Sequence, residues 1–256
     1  MTDDDPLAVL HEAARVLRSE RRELADEREA FSQFRTRVGA LETTASTARF
    51  PTLLTDRTRT APGRTTPDQV REAYVRTVMC VPHYEEAYGE SYRENLEREL
   101  TPELATAITR SEGLSPGLKR SLADCVDRAI DARESLLEFL EAESEAITDA
   151  EERLVGIVGD LESVVAQPLD RAGFHVLISS RDRLDSLEDR CGVLLEERQA
   201  RIRREHSVSV AGIDDTARYL YGSCRTTHPV LAAIAAVCAG IEEGRRTIDR
   251  RLAVVE

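Results

Sequence analysis

Lysine is nearly missing from this chain of 256 residues: Lys119 is the one lysine among 35 basic side chains. Tryptophan is absent, and six tyrosines and five phenylalanines are all the aromatics there are. No apolar run can span a bilayer, which takes about 20 residues. The longest, Val230 to Ile241, has twelve and suits a buried helix. Five cysteines (Cys80, Cys125, Cys191, Cys224, Cys238) form no CxxC and cannot all pair. Cys125 and Cys191 fall near or on apolar stripes, where a free thiol behaves as a small hydrophobe. The opening residues, Met1 to Pro6, carry neither a basic n-region nor an apolar h-region, so no signal peptide is expected. Reduced thiols in a cytoplasmic chain are the economical expectation.

Basic charge is also in short supply. There are 48 acidic residues, and the formal net charge is −13. Arginine in place of lysine, with added Asp and Glu, resembles the composition of proteins from extreme halophiles. In about 1 M salt the Debye length is only about 3 Å, so such a charge costs little self-repulsion there. In dilute buffer it works against the fold.

The motifs of catalysis are missing too. No GxGxxG or HExxH occurs, and Lys119 follows Leu118 rather than the glycine of a P-loop. Gly113-Leu114-Ser115-Pro116-Gly117 matches G-x-S-x-G, yet a nucleophile elbow needs a preceding strand and a backbone N–H after the serine. Residues 104–111 read as helix and Pro116 has no N–H. Ser115 as N-cap with Pro116 at the first helical position accounts for the segment. A di-iron carboxylate bundle needs Glu-x-x-His. The residues three before His11, His83, His175, His206 and His228 are Ala8, Cys80, Ala172, Arg203 and Arg225. No catalytic residue, metal site or cofactor is predicted, and the chain is not expected to be an enzyme. Arg49, Arg57, Arg59 and Arg64 make the only locally basic stretch, which reads as a solvated tether, so a nucleic-acid partner is not expected.

What the chain does have is heptad order. One row reads Leu122, Ala129, Leu136, Glu143, Ala150, Ile157, Val164, and the other Val126, Arg133, Leu140, Ile147, Leu154, Leu161. Spacing of 4 then 3 keeps one stripe against a partner helix, the signature of a coiled coil. The pattern predicts a helix from about 115 to 167, spanning about 75 Å at about 1.5 Å per residue. A second helix, about 169–205, returns through a short connection as an antiparallel hairpin. A C-terminal helix follows at about 228–254. Before the hairpin, helices are expected from about 68 to 80, 82 to 100 and 102 to 113. At the N-terminus Leu10, Leu17, Leu24, Phe31 and Val38 recur every seven residues, with Leu7, Ala14 and then Arg21, Arg28 and Arg35 in the companion row. Residues 1–42 therefore read as a coiled-coil arm, 43–67 as a flexible linker rich in Thr, Arg and Pro, and 68–256 as a helical body. The fold class expected is all-α: an elongated antiparallel bundle or coiled coil with an N-terminal helical arm.

Four of the six tyrosines lie between Tyr74 and Tyr92. Tyr84, Tyr88 and Tyr92, at i, i+4 and i+8, are predicted to share one helix face beside His83. A second cluster, Tyr219, Tyr221 and His228, flanks the start of the last helix. The plain expectation is that these rings knit short helices to the hairpin. The alternative is a ligand pocket or partner-docking patch at His83, Tyr84, Tyr88, Tyr92 and Tyr221.

The segment Thr77-Val78-Met79-Cys80-Val81-Pro82-His83-Tyr84, with Tyr219-Leu220-Tyr221-Gly222 and His228-Pro229-Val230-Leu231 far downstream, resembles a family of halophilic archaeal proteins classed as a domain of unknown function. The resemblance extends over essentially the whole chain and implies source and boundaries, with no catalytic residue to transfer. The expected role is a structural or protein-interaction module with a protein partner, or self-association through the arm, and no membrane. A regulatory or sensory domain binding a small ligand near the tyrosines is the first alternative, and a nucleic-acid-associated regulator the second.

Overall fold

The computed structural model describes residues 5–43, 67–168, 172–205 and 209–255. All but the two end residues of the predicted linker 43–67 lie outside these, as do its arginines and His206. Among the described residues α-helix dominates and no β-strand occurs; Val210 and Ile213 form one isolated bridge. The helices are α1 (Ala8–Ala40), α2 (Pro67–Val75), α3 (Tyr84–Ala87), α4 (Tyr92–Glu99), α5 (Pro102–Arg110), α6 (Pro116–Val165), α7 (Phe174–Glu205), α8 (Thr216–Tyr221) and α9 (Pro229–Val255). They fall into two compact units, Met1–Glu20 with Glu138–Glu256, and Arg21–Leu137. Helices α1 and α6 each contribute residues to both.

In the second unit, Arg21–Leu137, the latter part of α1 runs antiparallel to the start of α6. Arg35 pairs with Asp127 at 2.6 Å, Arg133 with Glu27 at 2.9 Å, and Lys119 donates to the Leu41 carbonyl at 2.6 Å. Partner numbers rise on one helix as they fall on the other. Phe31, Phe34 and Val38 of α1 are fully buried in a core with Tyr74, Leu96, Ile108 and Leu122. The arm's predicted heptad row is buried throughout. Its companion row differs from expectation: Glu27 and Phe34 face inward, one residue before Arg28 and Arg35. The arginines at that spacing flank the contact instead of filling it.

The helix predicted over 82–100 is two helices. Gly89 adopts φ +57, a left-handed conformation that stops α3, and Ser91 restarts the chain. The Ser91 side chain accepts from the Glu94 N–H while Glu94 accepts from the Ser91 N–H at 2.9 Å, a capping box. Tyr84, Tyr88 and Tyr92 consequently do not share a helix face: Tyr88 closes α3 and Tyr92 opens α4. The helix expected over 68–80 also ends early, at Val75, with Val78–Cys80 a 3-10 turn before Pro82. Gly89→Ala should lower stability by about 1–2 kcal/mol, because an L side chain is strained at this φ. Urea denaturation followed by circular dichroism measures it, and Gly89→Asn should lose less.

In the first unit α6 and α7 form the predicted antiparallel hairpin. Arg198 pairs with Glu143, Arg153 with Glu197 at 2.6 Å and Arg190 with Asp160 at 2.6 Å, so partner numbers fall along α7 as they rise along α6. Leu140, Ile147, Leu154 and Ile157 of α6 are buried, as are Leu177, Leu184 and Leu194 of α7 and Ile234, Ile241 and Ile248 of α9. Over both units, the heptad positions of α6 are buried, apart from Leu161, which is half-buried, and Arg133, whose side chain is 12% exposed. Apart from Arg133 and Glu143, the charged residues of α6 lie outside the stripe, and exposed pairs such as Arg153–Glu197 and Arg190–Asp160 are each worth at most about 1 kcal/mol.

Candidate functional site

Four of the five tyrosine and histidine positions singled out from sequence, His83, Tyr84, Tyr88 and Tyr92, lie in the second unit. Tyr221 lies in the first. Each group surrounds a buried ion pair centred on a non-apolar residue of the α6 heptad rows, Arg133 in one unit and Glu143 in the other.

In the second unit Glu27 of α1 is the hub, with 9% of its side chain exposed. Arg133 donates to its Oε2 at 2.9 Å, Tyr88 donates its hydroxyl to Oε1 at 2.5 Å, and His83 Nε2 lies 3.1 Å from the same oxygen. An ionised carboxylate only accepts, so Nε2 carries the proton in that contact. Arg133 reaches on to Glu99 of α4 at 2.7 Å and stacks 4.3 Å from the centre of the Phe31 ring. Burial opposes the charge on Glu27, but Arg133 and the bonds from Tyr88 and His83 outweigh it and lower its pKa. Burial likewise opposes the charge on Arg133, and Glu99 and Glu27 more than compensate.

A second chain of bonds lies beside this hub. The Tyr74 hydroxyl donates to Asn95 at 2.7 Å, and Asn95 donates to Glu90 at 3.1 Å. Glu90 also receives Arg98, whose guanidinium sits 4.4 Å from the centre of the Tyr88 ring. Tyr84 donates to the Glu90 carbonyl at 3.0 Å. Tyr92 packs edge-on to Tyr74 at 5.6 Å; its hydroxyl is buried with no hydrogen-bond partner among the described residues, and burial pushes it up to about 12. The polar groups of this cluster are therefore directed largely at one another.

These shifts give stability a defined pH dependence. The folded pKa of Glu27 lies below 4.5, so its contribution is complete above the unfolded value and lost as pH falls through the folded one. Burial and the bond to Glu27 raise the pKa of Tyr88 well above 10. Its contribution is complete below the unfolded value, near 10, and lost as pH rises through the folded one. Melting temperature should therefore fall at both extremes, and Tyr88→Phe should flatten the alkaline limb. If the Tyr88→Phe and wild-type curves superimpose after normalisation above about pH 10, this hydroxyl is not the titrating group.

In the first unit Arg198 of α7 grips Glu143 through two bonds, 2.8 and 2.7 Å, with the Arg201 Nε at 3.5 Å. The side chains of Glu143 and Arg198 are 2% and 8% exposed. Tyr221, at the end of α8, donates to Glu143 at 3.1 Å, and burial pushes its pKa far above the ordinary tyrosine value. Asp215 caps α8 by accepting from the Arg218 N–H at 2.9 Å, which turns Tyr221 inward. A cavity of about 20 Å³ adjoins this group, lined by Phe139, Glu143, Arg198, Leu220, Tyr221 and His228. That is room for about one water molecule. Glu27, Glu99, Arg133, Glu143 and Arg198 were not picked out from sequence. The available signal was a charged residue standing at a heptad position.

Elsewhere, Ser115 of the G-x-S-x-G match is the cap of α6, accepting from the Leu118 N–H at 3.2 Å. Among the described residues no group of three His, Cys, Asp or Glu side chains is placed to hold a metal ion, and no helix is long and apolar enough to cross a membrane. Fold and site define an all-α protein in which paired charges buried at heptad positions join long helices to short ones. The chain belongs to the family described as Domain of unknown function (DUF7260), whose model matches residues 8–245. Neither a curated protein nor a solved structure matches it.

Proposed function

We propose that this chain is a helical protein-interaction module of coiled-coil type, working in the salt-rich cytoplasm of a halophilic archaeon. The observation that carries the proposal is where large apolar side chains remain exposed. Among the described residues, five of the eight exposed large apolar side chains lie on these two helices: Val155 and Val165 on α6 and Phe174, Val176 and Val193 on α7 are 47–53% exposed, while the heptad positions between them are covered except for half-buried Leu161; Val75, Tyr219 and Val254 are the other three. Exposed apolar surface of this kind is what a protein partner buries. The tyrosine clusters, by contrast, spend most of their hydrogen-bonding groups internally, and the space at Tyr221 suits a water. The apolar row of α1 is buried within the chain, so the interaction surface is assigned to α6 and α7 of the first unit. The acidic, arginine-rich composition supports the salt-rich setting, since screening relieves a net charge of −13.

Crosslinking mass spectrometry in molar KCl tests this reading. Intermolecular links should concentrate on residues 155–193. Phe174→Glu with Val176→Glu and Val193→Glu should abolish them without lowering the melting temperature. Links that persist unchanged in a folded triple variant, or that map elsewhere, contradict the assignment. Melting temperature should also rise between 0.1 M and 2 M KCl; a fall would contradict the salt-rich setting.

A further inference from the structure

Within the first unit α7 and α9 run antiparallel, and three independent contacts fix their register. Arg181 meets Asp249 at 3.2 Å, and Arg245 donates to Asp185 at 2.7 Å. Between them Leu184 lies against Gly244, close enough that a Cβ on Gly244 would be 3.3 Å from the leucine Cδ1. The absence of a side chain at Gly244 lets the two helices approach here. Seven residues further along α7 from Leu184 is Cys191, and six residues back along α9 from Gly244 is Cys238. That register sets Cys191 beside Cys238 across the helix pair, and Cys238 adds to the rise in the Cys191 pKa.

The pair is asymmetric. Cys191 is buried, whereas Cys238 is half-buried. Burial, with Cys238 alongside, pushes the Cys191 thiol up to about 12. Reagent therefore reaches Cys238 first. The remaining cysteines are set differently: Cys80 and Cys125 belong to the second unit, and Cys224 follows α8.

We propose that Cys191 and Cys238 form a redox modification site, a thiol pair that a hydroperoxide converts to a disulfide joining α7 to α9. In the first step the Cys238 sulfur attacks the peroxide, the O–O bond breaks, and a sulfenic acid and one water form with hydrogen peroxide as oxidant. In the second step the Cys191 sulfur displaces hydroxide from the sulfenic acid. The S–S bond forms, the S–O bond breaks, and the Cys191 proton leaves with the hydroxide as a second water. The two thiols lose two electrons and two protons, and the peroxide is reduced to two waters. A bond there closes a loop containing α8, which restricts the unfolded chain and raises stability.

The test uses the full reduced chain, treated with hydrogen peroxide at neutral pH in molar KCl and mapped by non-reducing peptide mass spectrometry. The expected result is a linked Cys191–Cys238 peptide, about two mass units below the sum of the separate peptides, and a melting temperature that rises and returns on adding dithiothreitol. A Cys80→Ser, Cys125→Ser, Cys224→Ser triple variant should keep the link, and Cys238→Ser should lose it. Because Cys238 is half-buried, Cys238→Ser serves even if Cys191→Ser does not fold. The proposal is overturned if both thiols are still alkylated after oxidation and unfolding of a chain that had stayed helical. Linkage of Cys238 to any cysteine other than Cys191 overturns it equally.

Discussion

Arg133→Ala should destabilise the protein by about 3–5 kcal/mol, because it strips two mostly buried carboxylates of their shared cation. Glu27 and Glu99 have 9% and 14% of their side chains exposed, and Arg133 bonds both at 2.9 and 2.7 Å. Little else nearby can take over. His83 touches one Glu27 oxygen, Tyr88 donates to the same oxygen without charge, and Arg98 reaches Glu99 only at 3.4 Å. The variant also removes the guanidinium from the Phe31 ring. The loss comes from carboxylates left ionised and buried, so neutralising them should recover most of it. Arg133→Met combined with Glu27→Gln and Glu99→Gln should return to within about 2 kcal/mol of wild type, since replacing a whole buried charge set is often near neutral. Glutamine keeps an acceptor for Tyr88 and His83. Urea unfolding in molar KCl gives both values. A loss below about 1 kcal/mol for Arg133→Ala would mean water already solvates this hub.

Arg133 also shows where pattern reading succeeds and where it stops. Period-seven spacing made the long helix and its buried stripe legible, because burial at that spacing follows from helix geometry alone. Caps were legible for the same local reason: Ser115-Pro116 and Thr101-Pro102 start helices where expected, and Thr101 accepts from the Leu104 N–H at 3.1 Å. The break at Gly89 is equally local. The segment Ser91-x-x-Glu94 two residues later is a start signal that overrides the i, i+4, i+8 spacing of the tyrosines. The hub was legible only in part. Tyr88 and His83 stood out by type, but their common partner Glu27 is one acidic residue among 48. Only three-dimensional pairing distinguishes it from solvated neighbours such as Asp26 and Glu29. Tyr221 stands with the other tyrosines by type, while its hydrogen-bond partner Glu143 lies 78 residues before it.

Glu143→Ala in the first unit should produce the second large loss, again about 3–5 kcal/mol. Glu143 is more deeply buried than the hub residues of the second unit, and a single carboxylate serves Arg198 through two bonds, Arg201 at 3.5 Å and the Tyr221 hydroxyl at 3.1 Å. Removing it deprives the deeply buried Arg198 of its bidentate partner and takes the acceptor from Tyr221 as well. Three variants separate these effects. Tyr221→Phe alone should lose about 1.5–3 kcal/mol, the value of a bond to a charged group. Arg198→Met alone leaves Glu143 facing Arg201 and Tyr221, and should fall between Tyr221→Phe and Glu143→Ala. The pair Glu143→Leu with Arg198→Met fills the position with apolar volume, and should recover to near wild type in stability. If it does, the charges at this heptad position do not supply net stability; they fix which face of α7 meets α6, as a polar residue in a helix seam fixes register. That role has its own readout. Cysteines placed at Asp149 and Glu197, on either side of the Arg153 bridge, should crosslink in wild-type background and lose that selectivity to neighbouring positions in the apolar pair. Equal selectivity in both backgrounds would leave register to the leucine and isoleucine rows alone.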